Sequence, residues 1–151
     1  RFTELTDSDI YSLRRNEITV LNGCVIGIIY IKVTSMKFKY KWSKRYIIIS
    51  KNKILIYKPK TKNENKKSVL LKKLKITGIT MEDDKITFEI KNISNNRTKY
   101  RIGSKNHFGI LNLYNYLDMA IKKLRLASEY KKKALKKKHS KIARLSQVFE
   151  K

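Results

Sequence analysis

Short apolar runs with polar punctuation fill most of the chain, and the spacing then switches to the period of a helix. The clearest stretch runs from Gly27 to Lys58. It holds the Ile/Val/Tyr-rich runs Gly27–Val33, Tyr46–Ile49 and Ile54–Tyr57. β-Branched and aromatic runs with polar punctuation predict strands, and the polar Lys51-Asn52-Lys53 between the last two predicts a hairpin. Further along, Ser68–Leu71 and Ile76–Met81 read as strands, with Gly78 as a bulge or a close approach. Lys85–Ile90 places Ile86, Phe88 and Ile90 on one face and Lys85, Thr87 and Glu89 on the other, the mark of a half-buried strand. Thr98–Ile102 is the last run.

Seven evenly spaced strands with turn signals predict an antiparallel sandwich or barrel. From about Ser104 the spacing becomes helical. Ile110, Leu113, Leu117, Ile121 and Leu124 follow at helical spacing, and Leu113, Leu117, Ile121 and Leu124 lie on one stripe that should face the barrel. No Gly or Pro interrupts the pattern after Gly109, so the helix is free to run on through the lysine clusters beyond Leu126. There the stripe thins to Leu135, Ile142, Leu145 and Phe149. This basic amphipathic segment reads equally as a solvated tail or as a helix for a membrane surface or a partner protein. At the other end, Thr6-Asp7-Ser8-Asp9 resembles a capping box, which predicts a short helix over Ser8–Asn16. Asn22-Gly23 signals a turn. The expected organisation is an N-terminal helical extension (1–21), a β domain closed by one helix (22–127) and a basic helical extension (128–151).

Charge changes this picture most. Lys and Arg number 37 against 12 Asp and Glu, a net charge of +25. Such one-sided charge works against folding by self-repulsion and points to a polyanionic partner, nucleic acid or an anionic membrane. Heavy use of Lys, Asn and Ile is also what an AT-rich genome produces. The cations concentrate on the loop after the first run, where Lys37, Lys39 and Lys41 interleave with Met36, Phe38, Tyr40 and Trp42. Lysines between apolar groups fit phosphates that sit on a lipid interface, with Met36, Phe38 and Tyr40 as the inserting side chains. Trp42 and Tyr46 read as core or rim packing. The Lys excess over Arg argues against base reading, which leaves nucleic acid second.

Other chemistry is sparse. A single cysteine, Cys24, excludes an internal disulfide and reads as a small core residue. Two histidines, His107 and His139, do not make a metal site. Glu82-Asp83-Asp84 reads as a solvated turn. No nucleophile–base pair and no Gly-rich phosphate loop is present, so neither an enzyme nor a cofactor is expected. No apolar run reaches transmembrane length.

The order Gly27–Lys32, basic loop, Trp42-Ser43-Lys44-Arg45-Tyr46-Ile47-Ile48-Ile49, then Ile54–Lys58 resembles the opening of a pleckstrin-homology domain. The resemblance covers about Asn22 to Leu126. It implies a seven-stranded antiparallel barrel capped by one C-terminal helix. It also implies an acidic-phospholipid-binding recruitment module for phosphatidic acid or phosphoinositide head groups on the cytosolic face of a membrane. In that family a Lys ending the first strand and an Arg opening the second aim at the same phosphates, positions matched by Lys32 and Arg45. The loop cations Lys37, Lys39 and Lys41, with Lys44 and Lys67, would reach further phosphates. Ser43 stands where the family often has Lys or Arg, and Ile56 near a phosphate-binding Tyr. The composition is also similar to an acylated branch of the family in apicomplexan parasites, which implies a secretory-organelle membrane. A protein-interaction module working through the C-terminal helix is the alternative function.

Overall fold

The computed structural model describes residues 17–21, 23–34, 39–58 and 67–149. The expected helix over Ser8–Asn16 lies outside them. The strands are β1 (Ile18–Leu21), β2 (Cys24–Thr34), β3 (Tyr40–Ser50), β4 (Lys53–Tyr57), β5 (Val69–Leu70), β6 (Leu74–Ile76), β7 (Thr80–Glu82), β8 (Lys85–Asn92) and β9 (Thr98–Ser104). A 3₁₀ turn, Leu71–Lys73, separates β5 from β6, and one helix, α1, spans His107–Phe149.

All pairings are antiparallel, in the order β5-β4-β3-β2-β9-β8-β6, with β1 added to β2 and β7 to β8. The expected barrel is therefore an open sheet. β5 has only two residues before the chain turns, too few to build a ladder that would join the two ends.

Two expectations about strands change. The extension assigned to residues 1–21 contributes β1, which pairs Ile18 with Gly27 and Leu21 with Cys24. Gly23 lies in the turn between them at φ +76°, a value that glycine adopts without penalty; Asn22 lies outside the described residues. The expected strand Ile76–Met81 is two strands separated by an exposed bend at Gly78, where a Cβ would meet nothing within 4 Å. Gly78 is thus no site of close approach. Gly27 is one. A Cβ there would stand 2.8 Å from the Ile18 Cα and 2.9 Å from the Glu17 carbonyl oxygen. The Ile28 N–H donates to that same carbonyl at 2.8 Å. Without a side chain at Gly27, β1 can run against the first half of β2 before β9 takes over at Tyr30 and Ile31.

The core takes side chains from both faces of several strands: Ile28 and Ile29, Ile47 to Ile49, and Ile54 and Leu55 are all buried, as are Lys85 and Thr87 on the side of β8 expected to face solvent. Val25, Ile29, Ile47, Ile49, Ile54, Phe88, Ile90 and Ile102 are essentially inaccessible to solvent, as are Ile110, Leu113 and Leu117 of the helix. The Phe88 and Tyr114 rings meet edge to face, with centroids 5.2 Å apart. Burying side chains of this size stabilises by about 1.5–3 kcal/mol each, which binds helix to sheet. Asn106 caps the helix: its Oδ1 accepts from the Gly109 N–H at 3.0 Å. Its own N–H donates to the Ser104 hydroxyl at 3.0 Å. The chain divides into two compact units, one ending at Ile121 and one comprising Lys122–Lys151. The boundary falls within α1. Among the described residues no helix is long and apolar enough to cross a membrane.

Candidate functional site

The β2–β3 hairpin presents the candidate cations, and its register decides which of them share a face. Partnered residues run without a bulge from Cys24↔Ser50 to Thr34↔Tyr40. Lys32 faces Trp42 across the ladder, and Arg45 faces Ile29. Cross-strand partners share a face and neighbours in sequence do not. Lys32 therefore lies with Tyr30, Trp42 and Lys44 on one side of the sheet. Arg45 lies with Ile29, Ile31 and Ser43 on the other. This corrects the implied convergence of Lys32 and Arg45 on one phosphate. The side-chain period is two and their positions differ by an odd number of ladder steps, so no rotamer brings them together.

Each of the two is already engaged. Arg45 is buried, and its Nη1 donates to the Ser43 hydroxyl at 2.5 Å and to the Lys44 carbonyl at 2.8 Å. Burial lowers its pKa, yet a guanidinium stays charged across any ordinary pH. Lys32 is ion-paired with Glu82, and its Nζ stands 5.1 Å from the centre of the Tyr40 ring and 5.9 Å from that of Trp42.

Glu82 also accepts from Arg101 Nη2 at 2.5 Å, and Arg101 Nη1 reaches Glu89 at 3.4 Å. The Lys32 hydrogen bond, with help from the Arg101 charge, holds the Glu82 carboxyl below its ordinary pKa. The next residue of the turn, Asp83, accepts from Trp42 Nε1 at 3.0 Å. Lys85 is 7% exposed, with Nζ 5.2 Å from the Trp42 ring centre and 5.7 Å from that of Tyr30. The Trp42 ring lies against Gly103, where a Cβ would stand 3.1 Å from it.

The sequence reading did not find this cluster. It took Glu82-Asp83-Asp84 as a solvated turn, whereas Glu82 closes a charge network across the sheet. Asp83 and Asp84 do form the turn, at φ 50° and 64°. A two-residue turn with both φ positive is the tight type that suits a hairpin, and it puts Glu82 opposite Lys85. That much was readable from local sequence. The adjacency of β8, β9 and β2 that brings Lys32 and Arg101 to Glu82 was not.

The remaining expected site residues divide simply. Lys39, Lys41, Lys44 and Lys67 are exposed, and Tyr40 is 68% exposed. Met36, Lys37 and Phe38 lie outside the described residues. Lys67 precedes β5, which is separated from β3 by β4, so it is not part of the hairpin cluster. Trp42 is half-buried, as a packing residue would be. Cys24 is half-buried rather than core, and burial raises its thiol pKa. Among the described residues no group of His, Cys, Asp and Glu is arranged to hold a metal ion.

The hairpin end thus offers three exposed lysines and an exposed tyrosine, beside a charge network that is internally neutralised. Such an arrangement can attract anions by field and by flexible point charges. It does not offer a rigid pocket with several donors fixed on one group. Residues 22–108 match the family model of the PH domain. No curated protein matches the chain.

Proposed function

Because the chain belongs to the PH-domain family, whose members are generally non-catalytic modules for membrane-lipid or protein interaction, we propose that it recruits itself to anionic membranes through the β2–β3 hairpin. One observation carries this reading: Lys39, Lys41 and Lys44, at the opening of β3, are all exposed, and so is Tyr40 among them in sequence, at 68%. Each near-surface cation contributes about 1 kcal/mol of attraction to an anionic leaflet. The Tyr40 ring suits the interfacial layer, with an apolar body and a polar tip. Lys37, Met36 and Phe38 extend the same loop in sequence and are assigned to the same contact.

Head groups bearing exposed phosphate, phosphatidic acid or phosphoinositides, are the targets, on the cytosolic face of a membrane. Selection is by charge density rather than by stereochemistry. Lys32 and Arg45 stand on opposite faces and are both engaged within the protein, so the hairpin lysines carry the binding. Replacing Lys39, Lys41 and Lys44 together with Gln should lower partition onto phosphatidic-acid vesicles by about 100-fold, from the contribution per cation given above. Arg45→Met should change it less than twofold. Unaltered binding by the triple variant, or loss of binding with Arg45→Met alone, overturns the reading.

A further inference from the structure

The second compact unit is itself strongly cationic. Between Lys122 and Arg144 there are eleven Lys and Arg against the single acid Glu129, a net charge of +10. These residues are helical throughout, so the charge is spread along about 33 Å at 1.5 Å per residue. With 3.6 residues per turn, Lys123, Leu126, Tyr130, Lys133, Lys137, Lys141 and Arg144 fall within about 60° of one line along the helix. All seven are exposed. Leu126 is 65% and Tyr130 is 76% exposed, one turn apart. Along this face Lys123 precedes the apolar and aromatic pair, and four more cations follow it.

We propose that this face is a second membrane-binding element, which lies along an anionic lipid surface with Leu126 and Tyr130 in the interface and the lysines at the head-group phosphates. Charge complementarity selects the partner. A second copy of the helix would set +10 against +10 and is disfavoured by like-charge repulsion. A nucleic acid duplex would satisfy the cations, but its stacked bases leave no apolar layer for Leu126 and Tyr130 to enter. Among the eleven cations, Lys outnumbers Arg nine to two, where base reading favours Arg. A lipid interface takes both parts of the face. Apolar side chains enter it while Lys stems lie along it and keep their charge in water. The proposal extends the membrane reading of the hairpin, but it stands on different residues and is tested separately.

The test uses the full chain and vesicles of phosphatidylcholine, alone or mixed with phosphatidic acid. Lys133, Lys137 and Lys141 are replaced together by Gln, and in a second variant Leu126 and Tyr130 are replaced by Gln. Circular dichroism checks that helicity is kept. The lysine variant should bind mixed vesicles about 100-fold more weakly and lose much of its salt dependence. A Lys→Arg version of the same three positions should bind as the parent does. The Leu126/Tyr130 variant should bind several-fold more weakly at every salt concentration. If both variants bind as the parent does, or if the lysine variant loses binding to duplex DNA or RNA while vesicle binding is unchanged, the proposal is overturned. A hairpin variant that binds normally while the helix variant fails removes the hairpin reading and keeps this one. The reverse result does the opposite.

Discussion

Glu82→Gln tests the charge network directly. The substitution keeps the shape of the side chain and one acceptor, but removes the charge that Lys32 and Arg101 share. Hydrogen bonds to charged groups contribute about 1.5–3 kcal/mol when well shielded, and exposed pairs about 0–1 kcal/mol. The side chains here are 20%, 22% and 36% exposed for Lys32, Glu82 and Arg101, between those limits. A loss of about 2 kcal/mol for the two contacts together is therefore expected. For a chain of this size that lowers Tm by about 6 °C.

The pH dependence has a fixed sign. Lys32 and Arg101 depress the folded pKa of Glu82 below its ordinary value of 4.5. Its contribution is complete above that value and disappears as pH falls through the depressed folded value. Urea denaturation of the parent and of Glu82→Gln should thus show a gap near neutrality that closes on acidification. Glu129→Gln removes an equal charge from an exposed helix position and controls for the general rise in net charge. A Glu82→Gln protein as stable as the parent at neutral pH, or a gap that persists undiminished in acid, would refute the network.

Gly27→Ala should cost about 1–3 kcal/mol, because its Cβ would meet the Ile18 Cα and the Glu17 carbonyl; urea denaturation measures it, with hydrogen exchange expected to rise first in β1. Asn106→Ala removes the cap on the Gly109 N–H and should cost about 1 kcal/mol, seen as a lower Tm with unchanged sheet signal. Phe88→Ala empties a fully buried site against Tyr114 and should cost about 3–5 kcal/mol, read from the denaturation midpoint. Arg45→Met exchanges a buried guanidinium bonded, among the described residues, to two neutral oxygens for an apolar chain of similar length. It should leave stability unchanged or raise it slightly, and a loss above about 1 kcal/mol would show that those two bonds outweigh the desolvation.

Local pattern determined most of the architecture. The helical spacing of Leu113 and Leu117 fixed which side of α1 meets the sheet, because side-chain direction follows from backbone period alone; the alternation in Lys85–Ile90 did not settle β8, where Lys85 and Thr87 of the expected polar face are buried along with Phe88 and Ile90, and Ile86 is only half-buried. The turns at Gly23 and at Asp83-Asp84 were legible for the same local reason. β1 was not, since its four residues gain their order only by pairing with β2 past Gly27. The candidate site shows the division most sharply. Exposure of Lys39, Lys41 and Lys44 could be expected from a charged loop between strands. The fates of Lys32 and Arg45 could not. Their faces depend on register, where a shift of one residue exchanges inside for outside. Their partners depend on β7, β8 and β9 lying beside β2, and Glu82 is fifty residues from Lys32 in sequence. Sequence sets what each segment presents; only the assembled sheet decides which presented charges meet.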